Sequence, residues 1–93
     1  MKGVYIVNKV MRTKKLDKSR VNEILQKAWI DRNEFKELVG IETTKGNYLF
    51  NLIRDKIKTE LDKKNMELPD TKHIPLGKTL QYLKHYGITF QTN

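Results

Sequence analysis

Apolar residues recur along this chain at helical spacing in several blocks, separated by short polar turns. Val21, Ile24, Leu25, Ala28 and Trp29 fit one face of a helix opening at Ser19, with Asp17 or Ser19 as its cap. On that face Trp29, the one tryptophan, is expected in the core. A second helix is predicted from Arg32 to Val39. Asp31 stands at its N-cap with Glu34 three residues on, the spacing of a capping box, and Ile30 and Phe35 flank the cap as a hydrophobic staple. Gly40 sits where a left-handed residue would end it. A third, longer helix is predicted over 45–63, with Phe50, Ile53, Ile57 and Leu61 on its buried stripe. Gly46 works against its first turn.

Beyond Lys63-Lys64-Asn65 the pattern shortens. Met66-Glu67-Leu68 and Lys72-His73-Ile74 flank Pro69-Asp70-Thr71, a sequence suited to a type I turn. Two short strands there would form a β-hairpin, the wing of a winged helix; a plain loop to the next helix is the alternative. Pro75 fits the start of a last helix over 76–86, closed by Gly87. Ile88-Thr89-Phe90 is a short apolar tail, and Val4 to Val7 is either a short strand or part of an arm. The expected organisation is a basic arm or short strand over 1–18 and a winged helix–turn–helix domain over 19–90. The expected fold class is mainly α with a small β-hairpin.

Composition narrows the class. With 38% hydrophobic and 32% charged residues the chain reads as globular, and 93 residues suit one small domain. There are no cysteines and only two histidines, so neither thiol chemistry nor a histidine–cysteine metal set is expected, and no cofactor. No apolar run is long enough to span a bilayer and no secretory signal is visible, which points to a cytoplasmic protein. There is no Gly-rich phosphate loop and no recognisable nucleophile–base spacing, so an enzyme is not expected.

Charge changes the picture more. The net charge is +8, and it is uneven: Lys2, Lys9, Arg12, Lys14, Lys15, Lys18 and Arg20 face only Asp17 in the first 20 residues. Residues 21–44 are net acidic and 45–93 net basic, a split that suits a polyanion partner. A Lys-rich coding bias would also raise the total. On the long helix, Asn47, Asn51, Arg54 and Lys58 step by three and four along the face opposite the apolar stripe. Asn can bond adenine and Arg can bond guanine in bidentate fashion, while Lys58 suits a phosphate. Thr44, Lys45 and Tyr48 sit at the N-terminal end, the end that reaches bases or phosphates in a helix–turn–helix. An ordinary solvated face would carry similar residues, and Asp55 and Asp62 near it would repel phosphate.

The phrases Glu34 to Ile41, Asn51 to Ile57, Glu67-Leu68-Pro69 and Ile74 to Leu83, taken in order, resemble the small winged helix–turn–helix proteins of Gram-positive phages and mobile elements, a group including excisionases and small regulators. The resemblance covers residues 30–86; the turn Ile41–Gly46 is longer than the serine-led turn usual there. It implies a long helix in the major groove and a wing on the adjacent minor groove or phosphates. Carried over, it implicates Thr44, Lys45, Asn47, Tyr48, Asn51 and Arg54 on the helix, and Lys72 and His73 on the wing. Arg12, Lys14 and Lys15 would add electrostatic contacts from the arm. The expected function is an excisionase-like architectural factor or transcriptional regulator binding double-stranded DNA, as a homodimer or a cooperative array. The competing expectation is a phage-encoded protein–protein adaptor or inhibitor on the same scaffold, without DNA binding.

Overall fold

Short-range caps set most of the helix boundaries. A computed structural model describes residues 15–88. The expected Val4–Val7 strand, Arg12 and Lys14 of the arm, and Thr89-Phe90 of the tail lie outside the described residues. Helix α1 spans Lys18–Ile24, capped by the Asp17 side chain, which accepts from the Arg20 backbone N–H at 3.2 Å. Strand β1 is Trp29–Asp31 and runs directly into α2, Arg32–Val39. Helix α3 spans Thr44–Lys63, β2 is His73–Pro75, and α4 is Leu76–His85. The described residues therefore form a small, mainly helical unit of four helices with a two-stranded antiparallel sheet.

Helix α2 forms as its sequence predicts. Asp31 accepts from the Glu34 N–H at 2.8 Å, and the Glu34 carboxylate accepts from the Asp31 N–H at 2.9 Å. Ile30 and Phe35, the two ends of the expected staple, are both fully buried. Gly40 takes φ 72°, and the following Ile41 N–H reaches back to the Lys36 carbonyl at 3.2 Å. The same device ends two other helices: Asn65 at φ 57° with Met66 bonded to Leu61, and Gly87 at φ 79° with Ile88 bonded to Leu83. Ile88, the first residue of the apolar tail, turns back into the core.

Two expectations are corrected. Helix α1 stops at Ile24 instead of reaching Trp29; two tight turns through Gln26 and Lys27 follow, and the chain extends into β1. Strand alternation then replaces helical spacing: Ile30 points inward and is fully buried, so Trp29 points outward and is 41% exposed. The tryptophan is not a core residue. The hairpin expected around Pro69-Asp70 does not form either, since residues 66–68 are not a strand. Its second half, β2, pairs instead with the distant β1, in the register Trp29–Pro75, Ile30–Ile74 and Asp31–His73. The Leu76 N–H bonded to the Ala28 carbonyl at 2.9 Å extends that ladder.

The sheet clips the starts of α2 and α4 together and drives Ile30 and Ile74 into one core. That core draws on every element: Val21 and Ile24, Phe35 and Leu38, Phe50, Ile53 and Ile57, and Leu83 are all buried. The Phe35 and Phe50 rings meet edge to face, 5.6 Å apart, and fix α2 against α3. On the outside, Arg20 of α1 holds Glu37 of α2 at 2.7 Å, and Lys27 pairs with Glu34. Burial pushes the Glu34 carboxyl up, but Lys27 and the Asp31 N–H together hold it below its usual range. Among the described residues no helix is long and apolar enough to cross a membrane.

Candidate functional site

The polar face of α3 begins at an exposed cap. Thr43, which the sequence reading passed over, is the N-cap residue, its hydroxyl accepting from the Lys45 N–H at 3.3 Å. Thr44 and Lys45 are exposed in the first turn, and Tyr48, one turn further on, is 67% exposed. A phenol left in water at the front of a helix can stack on or hydrogen-bond to a ligand without first leaving a core.

Asn47 and Asn51 are half-buried, and both turn their side-chain oxygens toward the protein. The organising residue is Arg32, at the first turn of α2. Its guanidinium lies 4.6 Å over the Phe50 ring and donates to the Asn47 backbone carbonyl at 3.3 Å and to Asn51 Oδ1 at 3.0 Å. Asn47 Oδ1 is buried with no hydrogen-bond partner. The amide nitrogens of both side chains reach solvent, because neither is among the buried polar atoms left without a partner and neither bonds to a described residue. Each asparagine thus offers N–H groups outward, and the simple picture of either as a free bidentate partner for adenine does not describe this arrangement.

Arg54 is half-buried, with its nearest carboxylate, Asp55, at 3.4 Å. Beside it a groove of about 360 Å³ is lined by Asp31, Arg32, Asn33, Phe50, Arg54, Thr71 and Lys72. Three cations from α2, α3 and the loop before β2 thus line one depression, with Asp31 the only acid among the described residues of its wall and already engaged in capping α2. Lys58 is exposed further along α3, in a second groove shared with Asp55, Asp62 and Glu67. That half of the helix is close to neutral, and its acids weaken it as a track for phosphate.

Lys72 and His73 occupy a different setting from the tip of a hairpin. Asp70 Oδ1 accepts from the backbone N–H groups of both at 2.8 Å, closing a tight turn that delivers the chain into β2. Those N–H groups hold the Asp70 carboxyl below its usual range. Lys72 extends from this turn, exposed and without an ion-pair partner among the described residues, whereas His73 is held in β2 opposite Asp31 with Nδ1 3.4 Å from Asp70. Lys15 is exposed at the start of the described residues.

Fold and surface define a small helical domain with a clipped two-stranded sheet and one cation-rich, donor-presenting face. No group of three or more metal-ligating side chains occurs among the described residues. No family model, no curated protein and no solved structure matches the chain.

Proposed function

We propose that this is a non-enzymatic DNA-binding protein of the winged helix–turn–helix kind, acting as an architectural factor or transcriptional regulator of a phage or mobile element. Helix α3 enters the major groove with its N-terminal half, so that Tyr48, Asn47 and Asn51 face base edges and Thr44 and Lys45 meet the backbone. The loop 66–72 takes the place of the wing, carrying Lys72 toward a phosphate. Arg54 and Lys72 border the groove into which a backbone phosphate fits, and the basic residues Arg12, Lys14 and Lys15 add attraction at longer range. The observation that carries the reading is the exposed start of α3 together with a groove in which Arg32, Arg54 and Lys72 meet.

The test is equilibrium binding of the full chain to duplex DNA across a salt series, with Lys45→Ala and Lys72→Ala compared to wild type. The expected result is binding that weakens steeply with salt, more weakly salt-dependent in each variant. Absence of duplex binding at low salt would refute the proposal. It would favour the adaptor reading, for which the exposed Trp29 on the outer face of β1 and the 54% exposed Met66 offer apolar contacts.

A further inference from the structure

The contact between Arg32 and Asn51 does more than join two helices. Guanidinium groups only donate hydrogen bonds, so the side-chain atom of Asn51 facing Arg32 must be its oxygen. No freedom to flip the amide remains while that bond is in place. Arg32 is itself held from two other sides, by the Phe50 ring at 4.6 Å and by the Asn47 carbonyl at 3.3 Å, and it has no carboxylate partner among the described residues to draw it away.

We infer that Arg32 is a specificity-setting positioning residue: by holding Asn51 Oδ1 toward α2 it leaves the N–H groups of Asn51 to face the major groove. The inference rests on the DNA reading above. An unrestrained Asn pairs with adenine by accepting from N6 while donating to N7. With its oxygen turned inward to Arg32, Asn51 presents its N–H groups outward, and the base edge that rewards these is guanine, whose O6 and N7 both accept. Adenine retains one acceptor but sets an N6 donor beside it, cytosine presents a donor alone, and thymine offers the single acceptor O4 beside its methyl group. The base facing Asn51 is therefore guanine in preference to adenine, the reverse of what the residue type suggests.

The experiment is selection of binding sites from random-sequence duplexes by the full chain and by Arg32→Met, Arg32→Lys and Asn51→Ala. Methionine keeps an unbranched stem and a favourable contact with the Phe50 ring but cannot donate to Asn51. Wild type is expected to prefer guanine over adenine about tenfold at one position, the scale of a good base contact. Arg32→Met is expected to shift that position toward adenine and leave the others alone, and Arg32→Lys to fall between them. Asn51→Ala, which leaves the rest of the cluster intact, erases the preference there. A selected motif that is the same for wild type and Arg32→Met overturns the inference while leaving the DNA reading standing. A wild type that selects no motif and binds no duplex overturns the DNA reading and the inference with it. Should Arg32→Met fail to fold, Arg32→Lys and Asn51→Ala carry the comparison: adenine already preferred by wild type at the position that Asn51→Ala erases is an equally decisive refutation.

Discussion

Gly46 stands in the first turn of α3, where its lack of a side chain costs helix stability by roughly 0.5–1 kcal/mol relative to alanine. The structure supplies the compensation. A Cβ at this position would lie 2.2 Å from the Ile41 carbonyl oxygen and 3.2 Å from Lys36 Cγ, so glycine lets the turn 41–46 close directly onto α3. Gly46→Ala is therefore expected to destabilise the protein by about 1–3 kcal/mol despite the better helix former, because a backbone oxygen cannot swing aside. A denaturant midpoint at or above wild type would show that the close approach is not needed. Tyr82 makes a second residue-level case. Its hydroxyl donates to Glu60 at 2.6 Å, and this bond to a carboxylate pushes the phenol up to about 12 while the phenol and Lys78 lower Glu60. A phenol raised in the folded state contributes stability that is complete below its unfolded value near 10 and is lost as pH rises through about 12. Phenolate absorbance should thus show a late phase near pH 12, and Tyr82→Phe should abolish it.

The two short strands show how an element can be misassigned from local spacing. Val21, Ile24, Leu25, Ala28 and Trp29 satisfy a helical template, yet the chain leaves the helix after Ile24. A three-residue strand carries too little pattern to be recognised alone; β1 exists because β2 lies beside it and Ile30 and Ile74 share one core. The mutational consequence is an inversion. Ile30→Ala should cost about 2–5 kcal/mol, as for a fully buried aliphatic side chain, whereas Trp29→Ala should cost about 1 kcal/mol or less. A core tryptophan, the expectation from helical spacing, would give the larger loss at Trp29, and thermal melts of the two variants separate the cases.

At the scale of the molecule, the sheet determines which surfaces share a side. Pairing β2 with β1 carries the loop 66–72 back across the start of α2, and this is what brings Lys72 to the groove lined by Arg32 and Arg54. A local hairpin would have left Lys72 at the tip of a projecting wing. If this face and the basic residues before it neutralise about four phosphates, duplex affinity should fall on the order of a hundredfold between about 50 and about 200 mM salt. A slope near zero in a double-logarithmic plot would remove electrostatics as the basis of binding.

Much of the helical framework is written locally in the chain. The capping box at Asp31 and Glu34, the left-handed positions at Gly40 and Gly87, and the apolar stripe of α3 can be read directly, because each depends on residues within one or two turns. The candidate polar face was legible for the same reason, as residues three and four apart on a helix are neighbours. Arg32 was not legible, since it meets Asn51 across 19 positions of sequence, and no spacing rule connects them. The partner of β2, the exposure of Trp29 and the inward turn of both asparagine oxygens belong to the same group. Local interactions select the helices; which polar atoms of α3 remain free to meet a ligand follows from the long-range contacts that pack α2 against it.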